Sequence, residues 1–416
     1  PLPYHFISTG FHLGTCALIF HFLRRTTGAA WAGVLGALMF GLSPAHVFTV
    51  AQITSLNNVQ GAFFAVATLA AVYESTRAES ARMQWSLYAA AIVSFIFAIA
   101  SNESMAALAP VYALAFLFWD GHLRWIDAFK RAALRSLPFV VIGGAALLSF
   151  FACDCNEAST DFFGDRNAGD NFFIYLGHIV YPIDLESLTV RGDQPAVLES
   201  ISDGFERITD QPLDNVEATH FFLAVALLAL MAVVAVRGPD AARIGAAFML
   251  LAVIPYTYVQ VFTAPRYTYQ AAAGFAIFFP PLLVWLADRL PRNRRMALAV
   301  AGAPLIAALA AWYSWQTVEQ GGPFKRETDD WEMLVKDVER TFPDVPPGSR
   351  VVIIGGPWTD PIYQFFVMPS IAHVTWNTKV RMYSVPPDRG AAEIAQREDN
   401  WYIARYEGHE LVVVPP

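Results

Sequence analysis

Charge is what this sequence has least of. Lys, Arg, Asp and Glu make up 15% of its 416 residues, against about 25% in an ordinary soluble domain. That scarcity excludes a water-surrounded fold for most of the chain. Cysteine is nearly absent as well. Cys16, Cys153 and Cys155 cannot build a disulfide framework, and the last two stand too close together for an ordinary bridge. No internal repeat and no nucleic-acid motif is visible, and the arginines serve topology, so no nucleic-acid partner is expected. No Met opens the chain and no signal-peptide pattern follows Pro1. The sequence is expected to begin inside a longer protein.

What the chain has instead is apolar runs. About ten are candidates for spans: His5–Leu23, Ala30–Leu42, Gly61–Val72, Trp85–Ile99, Met105–Phe118, Leu137–Ala152, Thr219–Val236, Ala242–Phe262, Tyr269–Ala287 and Met296–Ser314. The fold class they imply is an α-helical polytopic membrane protein. Lys and Arg fall almost wholly in alternate connections, fourteen of them from Arg24 to Arg295, while the other short connections hold only Arg266. By the positive-inside rule the arginine-rich side is cytoplasmic. The segments 43–60, 101–104 and 263–268 are then expected to face outward.

Two further regions depart from the apolar pattern. Residues 154–216 carry thirteen acids against three arginines, a local net of −10 beside the whole-chain −8. A solvated surface explains this acidic outer loop, and a cation or basic acceptor is the sharper alternative. Within it, Asn171–Ile183 reads as an aromatic amphipathic helix, lying in the interface or packed in the loop, that ends at Tyr181-Pro182. Residues 318–416 carry fifteen acids and ten bases and read as a small extracytoplasmic α/β domain after a transmembrane domain over 1–317. Its helix is expected at Asp329–Phe342. Its strands are expected at Arg350–Ile354, Lys379–Ser384 and Trp401–Ala404, and Leu411–Val414 closes the chain. Gly355-Gly356 after the first strand suggests a phosphate loop, but neither Gly-x-Gly-x-x-Gly nor Gly-Lys-Ser follows.

Polar groups near membrane depth are costly, and each invites a functional reading. The stretch Gly36–Gln60 holds no Lys, Arg, Asp or Glu, yet it contains His46, Gln52, Asn57 and Asn58. A neutral polar loop between two spans suits a headgroup site, and a re-entrant turn is the plainer account. His5 and His12 share one helix face, with ligand and packing roles both open. Glu103 stands alone in SNES, where it could accept a proton or hold a divalent ion. Ser101, Asn102 and Glu103 equally resemble a helix cap. Arg266, held against the charge bias, suits a bidentate phosphate contact, or else snorkels to headgroups. Tyr267 and Tyr269 alternate with it, placed to stack on a sugar or to sit in the aromatic belt.

Four segments, YHFISTGFH at 4–12, FGLSPAHVFTVAQI at 40–53, SNESMAALAP at 101–110 and PRYTYQAAAGF at 265–275, together resemble the GT-C superfamily of integral-membrane glycosyltransferases. The nearest branch is the protein O-mannosyltransferase-like group. The resemblance covers about residues 1–290. It implies transfer of a sugar from a polyprenyl-phosphate donor to a protein, lipid or glycan acceptor, with inversion, on the outer face. It also implies that the main catalytic acid precedes Pro1. Carried over by motif, Glu103 is a catalytic candidate, while His5, His46, Asn57, Asn58, Arg266 and Tyr267 would bind the donor phosphate or sugar. A divalent cation is a further implication for some members. Two departures stand out: Ser55-Leu56-Asn57-Asn58 replaces a Gly-Arg-Ala/Asn-Asp run, and Pro265 replaces an acid before Arg266.

The expectation is an outward-facing glycosyltransferase of a bacterial inner membrane, the Ala-rich, Arg-over-Lys composition suiting a high-GC bacterium. Its rivals are a transporter or flippase of lipid-linked sugars and a catalytically inactive envelope scaffold.

Overall fold

Helix ends fall where the sequence places its breakers. In the computed structural model, the described residues are 2–51, 55–119, 125–152, 168–181, 215–258, 265–291, 307–308, 310–315, 317–318, 333–355, 368, 372, 375–376, 380–388, 390, 394, 400–407 and 410–414. The first helix, α1 (Leu2–Thr27), stops at Gly28, whose φ of 71° lets its N–H reach the Arg24 carbonyl at 3.0 Å. The second, α2 (Ala30–Gly41), ends before Ser43-Pro44, and a short helix α3 (His46–Ala51) follows. Next come α4 (Leu56–Arg77) and α5 (Ala81–Ser101), the latter capped by Ser80, whose hydroxyl accepts the Met83 N–H at 3.2 Å.

Asn102 then accepts the Ser104 N–H and opens a 3-10 turn, Glu103–Leu108, that runs into α6 (Ala109–Trp119). The capping role considered for Ser101, Asn102 and Glu103 falls to Asn102. The remaining helices are α7 (Trp125–Ala152), α8 (Ala168–Val180), α9 (Asn215–Arg237), α10 (Asp240–Thr257) and, after a 3-10 turn at Pro265–Thr268, α11 (Tyr269–Ala287).

Seven of these helices are long and apolar enough to cross a membrane, and the chain is a multi-pass helical membrane protein. Of the about ten expected spans, seven are helices of that length among the described residues. Ala30–Gly41 and Glu103–Trp119 are helical but shorter. Twelve residues reach only about 18 Å, because Gly28 and Ser43-Pro44 bound α2 so closely. Met296–Ser314 lies mostly outside the described residues, as do Cys153, Cys155 and most of the acidic segment 154–216.

The bundle has a centre and a rim. In α4, α10 and α11, 61% of the apolar window is buried in protein; in α5, α7 and α9 it is 17%, 22% and 28%. Trp85, Phe97, Leu134, Leu148 and Val236 on the rim helices are exposed, as lipid-facing side chains should be. At the centre, backbones approach closely through small residues. A Cβ added at Gly274 would meet the Met249 nitrogen at 2.5 Å, and one at Gly245 the Phe278 nitrogen at 2.5 Å. Pro280 and Pro281 inside α11 withhold the N–H groups that the Ala276 and Ile277 carbonyls would otherwise receive. Gly36 of α2 packs there, where an added Cβ would stand 2.8 Å from the Ala276 oxygen.

The chain divides into two compact units at Gln320–Gly321. In the second, β1 (Arg350–Ile354), β2 (Arg381–Val385), β3 (Trp401–Glu407) and β4 (Glu410–Val413) form one sheet in the order β2-β1-β3-β4. β1 pairs parallel with β2 and β3, while β4 returns antiparallel to β3. Val351 and Ile353 pack with Leu334, Val338 and Phe342, and Val352 and Ile354 with Trp401 and Ile403. Both faces of β1 are thus covered, as the continuous apolar run RVVII requires. Gly356 and Pro357, read as part of a possible phosphate loop, lie outside the described residues.

Candidate functional site

Elements from distant parts of the sequence meet at the end of the bundle where α1 begins. His12 lies three turns into α1, His46 opens α3 after the Ser43-Pro44 break, and Tyr269 opens α11. The His12 Nδ1 and the Tyr269 hydroxyl are 2.8 Å apart, and His12 Nε2 is 3.2 Å from the Gly41 carbonyl. A carbonyl can only accept, so Nε2 carries the proton and Nδ1 accepts the Tyr269 O–H. His46 sits between these groups and Phe40. Its ring centroid is 4.5 Å from Tyr269, 4.6 Å from Phe40 and 5.6 Å from His12.

His46 is 2% exposed, and neither ring nitrogen has a hydrogen-bond partner among the described residues. Burial, aided by the neighbouring His12, pushes its pKa well below the ordinary histidine value. The Phe40 carbonyl, close but outside hydrogen-bond geometry, offsets this only in part. The imidazole is neutral at physiological pH.

Beside this aromatic cluster lies an uncharged polar network. Asn58 Oδ1 accepts from Asn102 Nδ2 at 2.8 Å, Gln270 Nε2 at 2.8 Å and the Tyr256 hydroxyl at 3.3 Å. Ser104 ties Asn102 to Tyr256, with its hydroxyl 2.7 Å from Asn102 Oδ1 and 2.8 Å from the Tyr256 oxygen. All five side chains are buried. The network joins α4, α10, α11 and the 3-10 turn of Glu103 by amides and hydroxyls instead of charges. That chemistry satisfies polar groups at depth without desolvating an ion.

From Tyr256 the site opens to its charged members. The Tyr256 ring stacks on Tyr267 at 4.8 Å, and the Arg266 guanidinium lies over the Tyr267 ring at 5.2 Å. Glu103 immediately precedes Ser104 and is exposed. Arg266 thus lies on one ring of a stacked tyrosine pair, and Glu103 adjoins in sequence the Ser104 that reaches the hydroxyl of the other. The helix α8 packs on the same place: Asn171 Nδ2 donates to the Thr257 carbonyl at 3.1 Å, and the Tyr175 ring stands edge-on to Tyr267 at 6.2 Å. His178 Nδ1 is 3.4 Å from the Thr268 hydroxyl, and burial with the nearby His220 pushes the His178 pKa down to about 3. The amphipathic segment is a packed loop helix, ended before Pro182 as Tyr181-Pro182 dictates.

The residues singled out in the sequence separate into two groups. His46, Asn58, Glu103, Arg266 and Tyr267 lie in this connected set. His5 stands exposed near the start of α1, nearly two turns before His12, and Asn57 is exposed, with its Oδ1 accepting the Asn58 N–H at 2.8 Å. His12, by contrast, is a buried partner of Tyr269. Tyr256, Gln270, Ser104 and His178 were missed as site members. Tyr256 sits inside an apolar run with no flanking signal, while Gln270 followed the Arg-Tyr-Thr-Tyr motif and could have been found from it.

Among the described residues no three His, Cys, Asp or Glu side chains gather as a metal site needs. Glu103 offers a single carboxylate, and no step is routed through a cation. No family model, curated protein or solved structure matches the chain.

Proposed function

We propose that this chain is the membrane portion of an inverting glycosyltransferase that takes a sugar from a polyprenyl-phosphate donor, the reading suggested by its resemblance to the GT-C superfamily. The observation that carries it is the chain of contacts from Arg266 through Tyr267 and Tyr256 to Ser104, the neighbour of Glu103, beside an otherwise uncharged network. A lipid phosphate at the membrane surface needs a cation reachable from the headgroup region, and Arg266 supplies a planar, permanently charged fork. In the transfer step the acceptor hydroxyl oxygen bonds to the anomeric carbon as the bond from that carbon to the phosphate oxygen breaks. The electron pair leaves with the phosphate, where Arg266 stabilises the growing charge, and a carboxylate takes the hydroxyl proton. Glu103 is the acid this site offers for that proton. His46, buried and neutral, gives no charge to the phosphate.

The proposed setting is the inner membrane of a bacterium, with this end of the bundle and the unit beyond Gln320 facing outward, in keeping with the arginine asymmetry. A conduction path would place its charged groups at mid-membrane on facing helices, whereas the site described here is neutral at depth and charged at its rim. The test is sugar transfer from polyprenyl phosphosugars in membranes carrying the full chain. Arg266→Ala and Glu103→Gln are each expected to lower turnover at least tenfold, and unchanged turnover in both removes the assignment.

A further inference from the structure

Threonines in this bundle follow one habit. Thr15, Thr26, Thr27, Thr68 and Thr76 each donate their hydroxyl to a carbonyl three or four residues back. Thr49 does not: its hydroxyl is fully buried and has no partner among the described residues. It stands three residues after His46, so the two side chains share one face of α3. His46 also buries two unpartnered nitrogens, and Gln270, next in sequence to the Tyr269 that contacts His46, buries an unpartnered Oε1.

An unsatisfied buried polar atom is costly and rare in native proteins. Here three such atoms belong to His46 and Thr49 on one face of α3, and the fourth to Gln270, one position after the Tyr269 that His46 contacts. Their chemistry narrows what would satisfy them. A neutral imidazole presents one donor and one acceptor, the Thr49 hydroxyl presents both, and Gln270 Oε1 only accepts. An anion, which only accepts, leaves Gln270 Oε1 and one His46 nitrogen unmet. A cation, which only donates, leaves the other His46 nitrogen unmet. A neutral hydroxyl both gives and takes.

We infer that His46, Thr49 and Gln270 form an uncharged subsite that reads the ring hydroxyls of the sugar on the donor lipid. The inference rests on the transferase reading and deepens it: Arg266 holds the phosphate, and α3 with the head of α11 decides which sugar follows. An ordered water is the other source of the same hydroxyl chemistry, and the test separates the two.

The experiment measures binding to the full chain in lipid nanodiscs of bare polyprenyl phosphate and of its mannose, glucose and arabinose derivatives. For the intact protein at least one sugar-bearing lipid is expected to bind about tenfold tighter than the bare phosphate. Thr49→Val, which keeps the side-chain shape, and His46→Phe, which keeps an aromatic ring, are each expected to cut that sugar increment three- to tenfold. Affinity of Thr49→Val for the bare phosphate should stay as it was. An increment unchanged in both folded variants overturns the inference, and if those variants are also more thermostable, the atoms serve an ordered water only. A sugar increment absent for all three sugars overturns it as well. Failure of the bare phosphate to bind, or indifference of that binding to Arg266→Ala, instead defeats the transferase reading and this inference with it.

Discussion

His12 and Tyr269, 257 positions apart, share a buried hydrogen bond of 2.8 Å that joins α1 to α11. Its direction follows from the Gly41 carbonyl on the other side of the imidazole, so three helices depend on one ring. Tyr269→Phe removes the donor and leaves His12 Nδ1 without it. The expected cost is about 1 kcal/mol, the scale of hydrogen bonds between membrane helices. Unfolding of the purified protein in mild detergent measures it, and His12→Ala should cost more because it also vacates ring contacts with Phe40 and His46.

Asn58 gives a steeper dependence. One oxygen accepts from Asn102, Gln270 and Tyr256, and Asn58→Leu leaves the Asn102 and Gln270 amides each short of an acceptor, while the Tyr256 hydroxyl keeps Ser104. A loss on the order of 3 kcal/mol is expected. Asn57→Leu, one position away but exposed, should lose less than 1 kcal/mol. Equal effects of the two in thermal unfolding would show that the network does not bear on stability.

The glycines divide in the same testable way. Gly274→Ala places a methyl group 2.5 Å from the Met249 nitrogen, whereas a Cβ at Gly10 of α1 meets nothing within 4 Å. The first change should destabilise the protein by about 1–3 kcal/mol, since backbone cannot yield as a side chain can. Gly10→Ala should be neutral or mildly stabilising, because alanine is the better helix former. Expression level and melting temperature in detergent distinguish them.

Acid should loosen the protein before it denatures ordinary carboxylates. The folded pKa of His46 lies well below its unfolded value near 6.5, and that of His178 falls to about 3, both chiefly through burial. The unfolded chain therefore binds more protons than the folded one below about pH 6.5, and stability is full above that value and declines as pH falls toward the folded pKa values. The slope is at most about 1.4 kcal/mol per pH unit for each histidine. A melting series from pH 8 to pH 4 should show this decline, and His46→Phe should flatten it.

Much of this was legible in the residues themselves. Runs of apolar residues placed nine of the expected spans on helices, and Gly28, Ser43-Pro44 and Asn102 marked where those helices stop. RVVII and the two later β-rich stretches gave three strands of the sheet. Span length was harder, because α2 and the Glu103–Trp119 segment carry apolar sequence right up to their breakers and hydropathy does not separate a short apolar helix from a span. At the candidate site, the neutral stretch 43–60 and Arg266 belong to the same end of the bundle in the structure. His5 and Asn57 stand exposed apart from the buried cluster, because a sequence pattern tells where a residue lies along a segment and not whether a neighbouring helix reaches that far. Tyr256 and Gln270 stayed hidden because their importance comes from a hydrogen bond to Asn58, made across about 200 positions of chain.

The proline pair in α11 ties the assembly of the bundle to its chain order. In hydrocarbon a main-chain oxygen deprived of its amide has no water to turn to, and a helix face without a side chain is what can lie close over it. The segment 269–287 brings an Ala276 carbonyl short of its amide into the bilayer, and Gly36 of α2 is packed against it. A face of α2 already in the membrane when α11 arrives would shield that carbonyl at once, which favours docking of these two helices in the order of the chain.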